Sequence, residues 1–102
     1  SFVKFELKNN NWTAVKEVPY VHVNFASATY TWVDDKTLII VGPNGDYTKT
    51  LYSIVDIENF KFVNGTLDLP ALPEGYTGYR IGNLEYSNGN VYFGFNYAKM
   101  VQ

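Results

Sequence analysis

Between Ala28 and Pro70 the apolar residues fall into four short runs, either alternating with polar residues or unbroken, and never at the three-to-four spacing of a helix. Alternation at Ala28, Tyr30 and Trp32 predicts a first strand, the run Leu38-Ile39-Ile40-Val41 a second, and Leu51, Ser53, Val55 and Ile57 one face of a third. A fourth lies within Lys61 to Leu69. The connections have turn chemistry: Asp34 to Thr37, where Asp side chains can bond their own backbone, and Gly42 to Asp46, where Gly and Asn tolerate positive φ. Two turns compete before the last strand, Glu58-Asn59 and the hairpin dipeptide Asn64-Gly65. Together the four runs predict one antiparallel sheet. Upstream, Val3, Phe5 and Leu7 alternate with Lys4, Glu6 and Lys8, Asn9-Asn10-Asn11 interrupts, and Trp12 to Val18 resumes, which reads as a hairpin.

Laid on itself, the chain repeats. Phe5 to Asn9 matches Val55 to Asn59 in pattern, a displacement of 55 − 5 = 50 residues, and this match favours Glu58-Asn59 as the turn. Val18-Pro19 matches Leu69-Pro70 at 70 − 19 = 51, and Val33 to Leu38 matches Tyr86 to Val91 at 91 − 38 = 53. The front of the chain thus resembles strands three and four of the central unit, and the back, Ile81 to Tyr97, resembles strands one and two. A period near 50 residues with four strands per unit is that of propeller blades.

The expected fold class is therefore all-β, a β-propeller fragment with one complete four-stranded antiparallel blade flanked by two half blades. Residues 1–18 are the second half of a blade, 19–70 an inter-blade loop plus the complete blade, and 71–102 a further loop plus the first half of the next. Because both ends fall in mid-blade, the expectation is a section of a longer propeller. The alternative is a small β-sandwich or barrel whose eight or so strands close on themselves.

Composition narrows the partners. Nine Tyr, seven Phe and 46% hydrophobic residues supply ample core material, so the chain is not disordered. A net charge of −2, one Arg (Arg80) and scattered Lys argue against a phosphate-tracking surface, hence against nucleic acid. No apolar run approaches the roughly 20 residues of a membrane helix, and no signal-peptide pattern is visible; in an exported parent that segment would already be removed. Without Cys, disulfides and thiolate metal sites are excluded within these residues, but the compartment is not fixed.

Catalytic chemistry is sparsely represented. His22 is the single His, inside the apolar-aromatic run Tyr20 to Phe25, and reads as a hydrogen-bonded structural residue rather than a base or ligand. Asp34 and Asp35 are adjacent and diverge in a hairpin, whereas glycoside chemistry needs carboxylates facing each other at about 5 to 10 Å. Asn44 with Asp46, and Asn88 with Asn90, place oxygens at alternate positions, yet the EF-hand pattern and its closing Glu are missing, so turns are the better reading than calcium. The triplets Asn11-Trp12-Thr13 and Asn64-Gly65-Thr66 match a glycosylation pattern that Asn-rich β-turns also produce by coincidence. No cofactor is called for, and the expectation is a non-enzymatic binding protein.

In a propeller the connections from fourth to first strand and from second to third strand emerge on one face, where ligands dock. Here these are Pro19 to Ser27, Leu69 to Arg80 and Gly42 to Lys49, carrying the candidate ligand-binding residues Tyr20, His22, Tyr47, Lys49, Tyr76, Tyr79 and Arg80. Flat rings with a few cations suit an aromatic or sugar-like anion, through stacking, cation attraction and charge-assisted hydrogen bonds. Single Tyr residues in such loops also serve simply to cover apolar surface.

The segment from Ala28 through Thr-Tyr-Thr-Trp-Val-Asp-Asp-Lys-Thr-Leu-Ile-Ile-Val to Gly42, followed by Leu51-Tyr-Ser-Ile-Val-Asp56, resembles a blade of the surface-lipoprotein propellers of gut-dwelling Bacteroidetes-type bacteria. Among these are the xenosiderophore-capture lipoproteins that work with TonB-dependent outer-membrane transporters. The resemblance implies a lipid-anchored protein of the cell surface and outer membrane that takes a ferric catecholate siderophore, or another small nutrient, and passes it to a transporter. No family contact residue can be placed on this sequence, and the Cys that lipid attachment requires is not among its residues. The alternatives are a glycan-active propeller enzyme with its carboxylates in other blades and a protein-interaction scaffold.

Overall fold

The computed structural model describes residues 1–99. Ten strands follow in order: β1 (Phe2–Lys8), β2 (Asn11–Val18), β3 (Thr29–Trp32), β4 (Thr37–Pro43), β5 (Thr50–Asp56), β6 (Lys61–Thr66), β7 (Gly78–Ile81), β8 (Glu85–Ser87), β9 (Asn90–Tyr92) and β10 (Phe95–Ala98). Every pairing is antiparallel. The one helical turn, a 3-10 turn at Phe25–Ser27, was not expected from the sequence. It is short enough to leave no periodicity and is capped by Asn24, whose Oδ1 accepts from the Ala26 N–H at 3.0 Å.

The central sheet has the order β3-β4-β5-β6, as the hydrophobic pattern predicted. Its register sets Trp32 opposite Leu38, Leu38 opposite Val55 and Val55 opposite Phe62, so one apolar row crosses all four strands. Leu38, Ile40, Leu51 and Val55 are buried on that face, where Tyr20 and Val23 join them from the preceding connection. Ile57 packs at the margin of this cluster, but β5 ends at Asp56, so it belongs to the turn. Asp56 explains that ending. Its Oδ1 accepts from the Glu58 and Asn59 N–H groups at 3.0 and 3.2 Å, which bends the backbone at the turn the repeat favoured. Asn64-Gly65 instead lies inside β6. Gly65 sits opposite Tyr52, whose ring occupies the space a Cβ would take.

Each flank is a hairpin. β1 and β2 are joined through Asn9 and Asn10, both at positive φ (50° and 65°), the conformation a two-residue turn demands. β7 to β10 form one long hairpin with an interruption: Ile81 faces Phe95 and Glu85 faces Tyr92, so three residues oppose two between them, which is a bulge. Its tip, Asn88-Gly89, has φ of 50° and 84°. At the other end Tyr86 faces Val91 as Trp32 faces Leu38. The 50-residue repeat reappears in the backbone, because Asn10 and Phe60 (60 − 10 = 50) are both left-handed, at φ 65° and 51°. In β1 the match shifts by two. The closing pairs are Lys8 with Asn11 and Asp56 with Lys61, so β1 follows β5 at 56 − 8 = 48 and Leu7, not Phe5, is the counterpart of Val55. A two-residue turn against a four-residue one causes the slip, and an even slip keeps the same face inward.

No closed sheet forms among the described residues, and β3 pairs with β4 alone. The β1-β2 hairpin touches the buried face of the central sheet through Phe2, whose ring lies 5.6 Å from Phe60 and 5.5 Å from Phe62. On the opposite face, Val91 and Phe93 line a cavity together with Ile39, Val41, Tyr52 and Ile54. The radius of gyration, 15.5 Å, exceeds the roughly 13 Å of a compact domain this long, as a row of stacked sheets would.

Candidate ligand-binding cleft

The connection between β2 and β3 is tied to the central sheet by a buried chain of hydrogen bonds. The Val23 N–H donates to Tyr20 Oη at 3.1 Å, and Tyr20 Oη lies 2.6 Å from Ser53 Oγ. Ser53 Oγ–H is directed to Asn64 Oδ1 at 2.6 Å, so the tyrosine hydroxyl is the donor to Ser53. Tyr20 also stacks on Phe25 at 4.8 Å with rings 5° from parallel. His22 Nε2 donates to the Gly65 carbonyl at 3.0 Å. A little further on, the Asn24 N–H donates to the Pro43 carbonyl at 2.8 Å. Gly42 permits this approach, since a Cβ there would stand 2.8 Å from Val23 Cγ1 and 3.0 Å from Ala28 Cα.

The β4–β5 loop is built from its own polar side chains. Asn44 Oδ1 accepts from the Thr48 and Lys49 N–H groups at 2.8 and 3.0 Å, and Asp46 Oδ1 accepts from Thr48 Oγ1 at 2.6 Å. The Thr48 hydroxyl, then its backbone N–H, holds the Asp46 carboxyl below the usual aspartate range. These oxygens are spent on the loop itself. Tyr47 stands at φ 63° and its hydroxyl reaches back to the first connection, accepting from Asn24 Nδ2 at 3.2 Å and lying 3.3 Å from Ser27 Oγ.

The third wall is β7. Tyr79 Oη donates to the Pro70 carbonyl, fixing the long connection, while its ring meets Phe95 at 5.4 Å and Tyr97 at 5.8 Å. Arg80 follows on the other face of the strand, exposed, opposite Asn96 and in no ion pair among the described residues. Tyr47, Tyr79 and Arg80, with Ser27, Pro43, Thr50 and Ile81, enclose a cavity of about 430 Å³. A smaller cleft of about 150 Å³ shares Thr50 and Tyr79 with it and carries Lys49 and Asp68. Tyrosine hydroxyls, a threonine and a free guanidinium can hold an anion that also presents a flat surface to a ring.

Of the seven residues named from sequence, the structure brings Tyr47, Tyr79 and Arg80 to one cleft and Lys49 to its neighbour. Tyr20 is instead a core residue whose hydroxyl is already bonded, and His22 is engaged with Gly65. Tyr76 stands apart, its ring 5.9 Å from Tyr97 and capped by Lys99 Nζ at 5.6 Å. Ser27, Pro43, Thr50 and Ile81 were not singled out. Thr50 is buried and at the start of β5, and only the pairing of β4 with β5 reveals that it faces the cleft.

Among the described residues no three acidic, His or Cys side chains gather as a metal site, and no helix is long and apolar enough to cross a membrane. Comparison with known proteins yields no matching family model, no matching curated protein and no matching solved structure.

Proposed function

We propose that this chain is a section of a non-enzymatic β-propeller that binds a small anionic, ring-bearing ligand at the cell surface. The observation that carries this reading is the convergence of Tyr47, Tyr79 and the unpaired Arg80 on one cleft between the β4–β5 loop and β7. In blade terms the cleft lies where a second-to-third-strand loop meets the first strand of the next unit, the position at which propellers place ligands. The stacked sheets and the repeated left-handed turns at Asn10 and Phe60 support the blade assignment. A ferric catecholate siderophore fits the chemistry, because its aromatic rings suit tyrosine and its negative charge suits arginine. Lipid anchoring at the outer membrane and delivery to a TonB-dependent transporter follow from the resemblance of the Ala28–Asp56 blade.

Titration of a ferric enterobactin-type complex into the protein, followed by Tyr and Trp fluorescence, tests it. A saturable change is expected. Replacing Arg80 with Gln removes a charge-assisted contact of about 1.5–3 kcal/mol, so affinity falls roughly 10- to 100-fold. Absence of saturation, or an affinity indifferent to Arg80, defeats the proposal.

A further inference from the structure

Three apolar surfaces are left uncovered. Leu7 on β1 is 58% exposed and Trp12 on β2 70%. Tyr30 and Trp32 border an open groove of about 570 Å³ above Leu38 and Ile40. On the far face of the central sheet Val63 is 62% exposed beside Ile54. Two strand edges are also unpaired among the described residues, that of β1 away from β2 and that of β9-β10 away from β7-β8. Open edges next to apolar faces invite pairing with another strand.

The two open edges belong to complementary halves. In the central sheet the row Trp32, Leu38, Val55, Phe62 runs across all four strands. By the register equivalences of the two hairpins, Tyr86 and Val91 reproduce its first half, and Leu7 and Trp12 its second. One step along, Phe93 and Phe5 stand where Ile40 and Ser53 stand. Every position of the reconstructed row is apolar, so joining the halves makes a sheet with the same kind of buried face as the one already formed.

We infer that two copies of this chain associate head to tail, the β1 edge of one pairing antiparallel with the β9-β10 edge of the other. Leu7 then lies opposite Val91, and Phe5 opposite Phe93. This rests on the blade reading of the two hairpins, not on the identity of the ligand. The new sheet continues a contact that exists within one chain, because Val91 and Phe93 already line a cavity against Ile39, Val41, Tyr52 and Ile54. Adding β1-β2 from a second copy extends that layer over β5 and β6 and covers Ile54 and Val63. Such a contact uses different surfaces on the two partners, so it propagates to a ring or a filament rather than stopping at a symmetric pair.

The absence of Cys from the sequence makes the register directly testable. Leu7→Cys and Val91→Cys are prepared separately, checked by circular dichroism and mixed under mild oxidation. A cross-linked dimer is expected in the mixture alone, while Lys8→Cys, on the opposite face of β1, gives none with Val91→Cys. Sedimentation of the unmodified chain should show mass rising beyond dimer with concentration. A monomer at every concentration overturns the proposal, and so does Leu7→Cys cross-linking efficiently to itself. Ligand titration of Leu7→Lys separates the two ideas: lost association with retained binding leaves the cleft standing, whereas in-register cross-linking without any ligand binding removes only the cleft's role.

Discussion

Replacing Tyr20 with Phe deletes one oxygen and keeps the ring that stacks on Phe25 at 4.8 Å. That oxygen is the middle of a one-directional chain, from the Val23 N–H through Tyr20 and Ser53 to Asn64. Without it the Val23 N–H, on a residue only 3% exposed, has no acceptor, and fully buried Ser53 loses its donor. A buried unsatisfied donor costs about 1–3 kcal/mol, which in a domain this size lowers Tm by roughly 5–20 °C. Urea unfolding, followed by fluorescence at one fixed protein concentration, should give a lower midpoint with an unchanged slope. Tyr30→Phe serves as the control, because Tyr30 is 64% exposed and its loss of a hydroxyl should stay within about 0.5 kcal/mol. Ser53→Ala should destabilise too, and the double variant less than the sum, since each change breaks the same chain. A Tyr20→Phe protein as stable as the parent, or strictly additive losses, would show that these groups are not bonded as described.

Gly42→Ala and Gly65→Ala should differ. The first presses on the Ala28 backbone and costs about 1–3 kcal/mol, and it should also weaken ligand binding by pushing Ser27 and Tyr47 apart; the second presses only on the Tyr52 ring, which can swing outward, and costs less. Equal unfolding midpoints would contradict this. The Asp34, Asp46 and Asp56 carboxyls are held below the usual aspartate range, chiefly by the Lys36 N–H, the Thr48 hydroxyl and the Asn59 amide respectively. A lowered folded pKa means that their stabilising contribution is present above the unfolded value of about 3.9 and disappears as pH falls through the folded pKa. Carbon-detected NMR titration should therefore find all three midpoints below 3.9, with stability indifferent to them near neutrality. Midpoints at or above that value would mean the turns are not closed by these side chains.

The central sheet and both hairpins were legible because their signals are local. Period-two alternation, the Asn9-Asn10 and Asn88-Gly89 turns and the repeat near 50 residues each act within a few positions of where they are read. What failed to show was of two kinds. The 3-10 turn at Phe25–Ser27 depends on Asn24 capping and on the Gly42 backbone lying close by, a contact between segments that no local pattern encodes. Asn64-Gly65 has the chemistry of a hairpin turn, but the Asp56 carboxylate closes the turn before it, and the glycine serves as the floor beneath the Tyr52 ring.

The cleft was harder to read for a related reason. Tyr20 and Tyr47 look alike in sequence, each a tyrosine in a connection beside polar and apolar neighbours, yet backbone geometry separates their roles. Tyr20 sits where an extended connection crosses the apolar face of the central sheet, so its ring is drawn into the core and its hydroxyl finds the buried Ser53. Tyr47 sits at positive φ in a loop whose Asn44 and Asp46 oxygens gather the following N–H groups, so its ring is turned back across the mouth of the sheet toward Ser27. A β-strand then adds Tyr79 and Arg80 as consecutive residues, which alternation sends to opposite faces. Tyr79 braces the wall through Pro70 and its ring contacts, and Arg80 keeps its charge unpaired among the described residues. Aromatic cover and free cation therefore meet at this cleft because a strained loop and a strand edge converge there, which composition alone does not specify.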